Sequence, residues 1–284
     1  MRDIIAVVTG ASRGAGKGIA VALGAAGARV YVTGRSVDDT ALPLPGTVGA
    51  TAEAVTAAGG EGIAVAVDHG DDASVAALFE RIEKECGRID ILVHSATALS
   101  DDLVKSGPFW EKSDDMVDIL DVGLRSAYQA TRIAAPLLLK SKAGLVVAIS
   151  SPGAQCYMHG PAYGAQKAGL DKMMFDMARD FRPFDVACVS IWPGPMRTER
   201  LEISARERPD VYGAMFENAE TTELQGHVIA AVAQSDKRME MSGNAYYTAD
   251  LAMEFGITEA DGRQPPSFAT MLGEPHRFHP AVIE

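Results

Sequence analysis

Short apolar runs alternate with longer stretches of mixed polarity along most of the chain. The runs are Ile4–Val8, Arg29–Val32, Gly62–Val67, Ile89–Val93, Gly144–Ile149 and Val186–Ile191. They do not switch between apolar and polar at every second residue, so they read as strands buried on both faces. Helical patterns fall between them. Ile19, Ala20 and Leu23 follow the first run, and Thr47–Ala58 follows the second. Asp71 and Asp72 cap and charge a helix reaching Glu85, which buries Val75, Leu78, Phe79 and Ile82. A long helix is expected over Asp114–Leu139 and another over 162–181, where Tyr163, Lys167, Leu170, Met174, Met177 and Phe181 share one stripe. Val228–Ala233 fits a helix and Asn244–Thr248 a last strand. Such β-α alternation predicts right-handed crossovers and one doubly wound parallel sheet, a three-layer α/β/α single domain over 1–284.

Three segments do not fit the alternation. Residues 37–46 carry two prolines and a glycine, and read as an irregular excursion, either a lid over a ligand or a plain surface loop. Residues 199–222 are polar and poorly periodic, and are expected to form a mobile covering segment. The tail from about 260 to 284 has no clear period. On the helix near 170, Ala165, Ala168, Lys172, Phe175 and Arg179 form a mixed face, suited either to solvent or to a second subunit.

Composition narrows the partners. The chain is 47% hydrophobic but only 6% aromatic, which suits contacts between helices and sheet through small residues. A net charge of −12 argues against nucleic acid or an anionic membrane as partner. Cys86, Cys156 and Cys188 are scattered, without metal spacing, as expected of free thiols in a reducing cytoplasm. No apolar run reaches about 18 residues, so no membrane span is expected, and the strand at the N-terminus leaves no room for a signal peptide.

The chemistry lies where runs give way to helices. Thr9-Gly10-Ala11-Ser12-Arg13-Gly14-Ala15-Gly16 joins the first strand to the first helix. Its glycines let backbone N–H groups approach a pyrophosphate at a helix N-terminus. The second strand ends Thr33-Gly34-Arg35, without the acid that would accept a ribose 2′-OH. Arg35 and Arg13 instead suit a 2′-phosphate, which predicts NADP(H) in preference to NAD(H). Asp68, at the end of the third strand, reaches for the adenine amino group. Ser151 follows the fifth strand, with Ser150 as the weaker alternative. Tyr163 and Lys167 stand one helical turn apart, where an ammonium is expected to lower the phenol's pKa for proton exchange with a carbonyl or alcohol. His159 lies in the loop before them, within reach of a substrate. Pro193 and Gly194 make a sharp turn, with Thr198 aimed at a nicotinamide carboxamide.

Taken together, the glycine loop, Asp68, Ser151, Tyr163-Gly-Ala-Gln-Lys167 and Pro193-Gly-Pro-Met-Arg-Thr198 resemble the short-chain dehydrogenase/reductase family, over about residues 4–250. A narrower likeness, to one group of that family, shows in Asp121-Val-Gly-Leu-Arg125, Ile149-Ser-Ser-Pro-Gly153, Ala219-Glu-Thr-Thr-Glu-Leu224 and Asp261-Gly-Arg263. The resemblance implies a Rossmann-type fold and an NADPH-dependent carbonyl reductase working as a homodimer or homotetramer on a small molecule, without a metal. It makes Tyr163 the general acid/base, Lys167 the holder of the nicotinamide ribose, and Ser151 the hydrogen-bond donor to the substrate oxygen. Gly10, Gly14 and Gly16 would lie under the pyrophosphate, with Ser12, Ser95 and Ala96 completing the cofactor contacts.

Three departures stand out. His94-Ser95-Ala96-Thr97 replaces the family's Asn-Asn-Ala-Gly, Ser151 lies twelve residues before Tyr163 rather than thirteen, and the family's catalytic Asn falls on Gly123. In the family that Asn's main-chain carbonyl holds a water linking the lysine to solvent. Glycine keeps the carbonyl, so the relay is expected to survive, with a kink or close packing at Gly123. The rival readings are a nucleotide-binding scaffold that has lost catalysis, and an enoyl-thioester reductase, which the Tyr-to-Lys spacing disfavours.

Overall fold

The structure is a computed structural model and describes residues 1–38 and 44–283. Residues 39–43, half of the excursion predicted at 37–46, lie outside the described residues. The chain runs β1 (Ile5–Val8), α1 (Gly14–Ala25), β2 (Arg29–Gly34), α2 (Val48–Ala57), β3 (Glu61–Ala66), α3 (Asp72–Cys86) and β4 (Ile91–His94). Three 3-10 turns follow, and then α4 (Asp118–Leu120), a π turn over Asp121–Arg125 and α5 (Ser126–Leu138). β5 (Gly144–Ile149), α6 (Pro161–Phe181) and β6 (Val186–Trp192) complete the main alternation. After them come α7 (Glu199–Glu207), α8 (Pro209–Asn218), α9 (Thr222–Gln234), α10 (Arg238–Met241), β7 (Ala245–Tyr247), α11 (Thr248–Glu254) and α12 (Ala269–Leu272).

The seven strands form one parallel sheet in the order β3-β2-β1-β4-β5-β6-β7. Alternate residues of each strand feed opposite layers. Ala6 and Val8 pack toward α1, α2 and α9, whereas Ile5 and Val7 pack toward α3, α5 and α6. Both faces of β1 are therefore buried, and this is why the run is continuously apolar rather than alternating. Each fully buried Val, Leu or Ile contributes about 1.5–3 kcal/mol relative to an exposed one. Strand order reverses between β1 and β4, and the crevice above their C-terminal ends is where such sheets bind ligands.

Most predicted elements hold to within a few residues, and the differences have local causes. The long helix expected over Asp114–Leu139 is broken, since Asp114–Val117 is a 3-10 turn and Asp121–Arg125 a π turn. The segment 199–222, read as poorly periodic, contains two helices, none of whose side chains is fully buried. The tail folds back on the body. Phe278 packs on Phe175 with ring centroids 5.0 Å apart and lies under the Lys172 ammonium, so part of the mixed face of α6 is covered from within the same chain.

Candidate active site

The glycine loop turns between β1 and α1 at positive φ, 64° at Gly10 and 56° at Gly14. A Cβ on Gly10 would sit 2.6 Å from Ala96 Cα, and one on Gly16 would sit 2.4 Å from Gly10 O. No side chain fits at either place, so the loop lies flat against its surroundings. The Ala11 N–H donates to Thr33 O at 2.9 Å, which ties the loop to β2. The Thr9 hydroxyl accepts from both the Ser95 and Ala96 N–H groups at 3.0 Å, which ties it to β4. The link between this loop and the end of β4 thus runs through the Thr9 hydroxyl. His94 instead turns inward to Thr131 Oγ1 at 2.7 Å, where burial pulls it down to about 3. His69 is bonded to Thr33 Oγ1 at 2.9 Å and falls to about 4 for the same reason.

The proposed adenosine end is more engaged than its sequence suggests. Arg13 donates to Pro45 O, Gly46 O and Ser36 Oγ, so its guanidinium braces the loop after β2. Arg35 is exposed at the end of β2, and Ser12 is buried in the loop beside it. Asp68 is exposed after β3, and its Oδ1 accepts from the Gly70 N–H at 2.9 Å. At the N-terminus of α1, the Gly14 N–H donates to Glu199 Oε2 at 2.8 Å, and Lys17 stands 3.8 Å from the other oxygen. A carboxylate of this chain therefore rests where the helix dipole favours an anion.

At the other end, Ser151, Tyr163 and Lys167 come together. The Ser151 hydroxyl accepts from the Gly153 N–H at 3.1 Å and lies near enough to the Tyr163 phenol to pull its pKa down. Gly153 makes room for that ring, since a Cβ there would lie 2.8 Å from Tyr163 Cε1. Ser150, the alternative, donates its hydroxyl to Lys167 O at 3.1 Å and so is committed to holding α6. Lys167 is buried, with Nζ donating to Ile149 O at 2.9 Å and lying 5.3 Å from the Tyr163 ring centroid.

The expected lowering of the phenol by Lys167 is not what this arrangement produces. Burial raises Tyr163 above its ordinary value and the Ser151 hydrogen bond only partly opposes it, while burial lowers Lys167 itself to about 8. Asp171, one turn further along α6, offsets part of the lysine's desolvation and accepts from Trp192 Nε1 at 3.1 Å. His159, at φ 57°, sets its ring edge-on to Tyr163 with centroids 5.1 Å apart. Burial lowers His159 from its usual range.

Pro193 and Gly194 follow β6, and a Cβ on Gly194 would press on the side chains of Glu220 and Phe268, 2.9 Å from Glu220 Oε1 and 3.1 Å from Phe268 Cε2. Burial raises Glu220 to about 7. Thr198 Oγ1 accepts from the Leu201 N–H at 3.3 Å, so the hydroxyl predicted to meet the nicotinamide caps α7. Sequence reasoning missed Gln166, Glu199, Glu220 and the tail. The tail closes over the loop after Ser151 through Gln155 Nε2, which donates to Leu272 O, and the His276 N–H, which donates to Gln155 Oε1. These contacts are remote in sequence, and the one local signal was Gln166 lying beside Lys167. Among the described residues no group of His, Cys, Asp and Glu is placed to hold a metal ion.

The comparisons agree with this geometry. A family model described as short chain dehydrogenase matches residues 4–208. Human dehydrogenase/reductase SDR family member 1 is 37% identical over 282 residues, covering 95% of this chain and 88% of its own. The mouse protein of the same name is 36% identical, covering 93% and 85%. A solved short-chain dehydrogenase/reductase of Serratia marcescens, 26% identical, superposes with a TM-score of 0.71 over 87% of this chain and 96% of its own. The narrower likeness carried by Asp121–Arg125 and Asp261–Arg263 is to the family member 1 group. The glycine cradle fits the NAD(P) cofactors that the family uses. The chain belongs to the short-chain dehydrogenase/reductase family and is an NAD(P)-dependent oxidoreductase acting on CH–OH or C=O groups.

Proposed function

We propose that this oxidoreductase uses NADPH to reduce a ketone or aldehyde to an alcohol, with Tyr163 as the proton donor. When bound, the cofactor supplies the hydride that adds to the carbonyl carbon. Gly10, Gly14 and Gly16 hold its pyrophosphate. Ser12, Ser95 and Ala96 line the adjoining backbone, Asp68 meets the adenine, and Pro193, Gly194 and Thr198 face the nicotinamide. Lys167 holds the nicotinamide ribose. The Ser151 hydroxyl donates to the substrate oxygen, and Tyr163 Oη passes its proton to that oxygen as negative charge develops.

The observation that carries this reading is the meeting of three side chains: the Tyr163 ring packs against Gly153 next to the Ser151 hydroxyl, with Lys167 Nζ 5.3 Å from the ring centroid. Tyr163→Phe removes the donor and keeps the ring. NADPH oxidation, screened over ketones, aldehydes, quinones and enoyl thioesters, is expected to fall by about two to four orders of magnitude. Undiminished turnover of a carbonyl substrate by this variant would sink the mechanism. Absence of turnover by the unmodified protein, with NADPH still bound, would favour the scaffold reading.

The preference for NADPH rests on Arg35 at the end of β2, exposed and with no acid beside it in sequence. Arg35→Ala is expected to lower the NADPH-to-NADH ratio of kcat/KM by about tenfold, and an unchanged ratio would remove this assignment. We assign the enzyme to the cytoplasm as a homodimer or homotetramer, on the scattered free thiols and the family's habit of oligomerising. A monomer mass by light scattering would refute the second part. No helix among the described residues is long and apolar enough to cross a membrane.

A further inference from the structure

The first two turns of α6 carry the acid and the lysine, yet they have no apolar anchor. Gly160 precedes it at φ 94° with no side-chain cap, and the first buried residue of the helix is Gln166, followed by Lys167. Gln166 is 1% exposed. Its carboxamide lies over the π turn, on the space a side chain at Gly123 would fill. A Cβ at Gly123 would come within 2.0 Å of Gln166 Nε2 and 2.6 Å of Gln166 Cδ. The same Nε2 donates to Thr97 Oγ1, just beyond β4, at 3.2 Å. Its Oε1 is buried and has no hydrogen-bond partner among the described residues. One side chain thus joins three elements at the ligand edge of the sheet, at the residue next to Lys167 and one turn from Tyr163.

We propose that Gln166 is a positioning residue for the Tyr163–Lys167 pair, that it stands in from α6 for the side chain absent at Gly123, and that its unpaired Oε1 accepts a hydrogen bond from a hydroxyl donor in the assembled site. The proposal rests on the carbonyl-reductase reading of that site. Its physical basis is twofold. A buried carbonyl oxygen without a partner is costly, and a donor arriving with the ligands removes that cost. The turns of α6 that carry the pair bury only polar side chains, so their rotation depends on those polar contacts, and small misplacement of reacting groups costs rate steeply. The close fit also bears on the relay at Gly123. An Asn introduced there alone overlaps Gln166, so its effect reports the collision rather than the relay.

Two substitutions at 166 separate polarity from shape. Gln166→Met keeps the length and loses the hydrogen bonds, whereas Gln166→Glu keeps an acceptor and, when protonated, the donor to Thr97. With NADPH and 4-nitrobenzaldehyde as probe, Gln166→Met is expected to lose about tenfold or more in kcat, with the NADPH dissociation constant within about twofold of the unmodified enzyme. Gln166→Glu is expected to keep more rate than the Met variant, and its rate relative to the unmodified enzyme should fall as pH rises and the carboxyl loses its proton. A Met variant as fast as the unmodified enzyme at every pH would make Gln166 a filler and overturn the proposal.

The pair is tested independently by thermal melting and NADPH binding, which need no substrate. Gly123→Ala is expected to lower Tm and weaken NADPH binding. Adding Gln166→Ala to that variant should restore part of both. Additive losses would overturn the shared-space argument. If the unmodified enzyme turns over no carbonyl, the function proposed above fails, and the 123/166 coupling still decides whether the two positions act together.

Discussion

Between β1 and α1 the cleft is lined by backbone, and beside α7 it is met by long polar side chains. The glycine loop has no room for a Cβ at Gly10 or Gly16, and it is tied to β2 and β4 by buried hydrogen bonds. In contrast, α7 and α8 bury none of their residues. They are held by the Thr198 cap, by Arg197 donating to Phe216 O and Glu217 O, and by the exposed Arg206–Glu202 pair. One wall of the cleft is therefore specified by what cannot be added, and the other by a few polar contacts that exchange readily with water. The first should tolerate almost no change, and the second should move or mutate at little cost.

The sharpest way to break that contrast is a methyl group in each wall. Gly16→Ala forces a Cβ against Gly10 O and is expected to weaken NADPH binding by about tenfold to a hundredfold in a fluorescence titration. Gly213→Ala in α8 meets nothing within 4 Å and should leave binding unchanged, with helix propensity favouring the alanine by about 1 kcal/mol. Equal losses from the two would show that the walls are not different in kind.

Acid should also separate them. His94 on β4 is bonded to Thr131 of α5, His69 is bonded to Thr33 of β2, and burial lowers the two rings to about 3 and about 4. The unfolded chain takes up their protons near the ordinary histidine value of about 6.5. Below that value the unfolded state binds more protons than the folded one, so stability present above it is lost as pH falls toward 4. Urea melts between pH 7.5 and 4.5 should show a loss of about 1 kcal/mol per pH unit for each histidine, and His94→Asn should remove its share. A flat profile would contradict the burial of these rings.

The smallest effect is expected where the walls touch. Glu199 Oε2 accepts from the Gly14 N–H, in competition with any anion at that helix end. Glu199→Gln removes the charge, and the NADPH dissociation constant is expected to fall by about twofold to fivefold at low salt, with the gain shrinking as salt rises. Weaker binding would show that the contact assists the cofactor rather than opposing it.

These particulars also mark how far sequence reading reaches. Ile4–Val8 could be read as a doubly buried strand because both faces of β1 meet helices, and the loop after it because glycine is the one residue that permits those turns. Ser151, Tyr163 and Lys167 were legible because a strand end and one helical turn place them by local geometry alone. Ser150 could be set aside only once its hydroxyl was found bonded to Lys167 O. The helices of 199–218 escaped because they are short and their few apolar residues are set among charged ones, with none fully buried. Gln166 escaped because its partners lie at Thr97 and Gly123, and no spacing along α6 encodes them.

The sequence by itself determined the doubly wound sheet, the glycine cradle and the Ser-Tyr-Lys set, since each depends on periodicity, on backbone freedom or on neighbours within a turn or two. Tertiary structure alone decided the direction in which the site's pKa values move. Burial, a property of the assembled chain, raises Tyr163 and lowers Lys167, against the lowering of the phenol that the Tyr-to-Lys spacing implied. It likewise decided that the missing side chain at Gly123 is answered by Gln166 from another helix, because only packing brings those two positions into the same space.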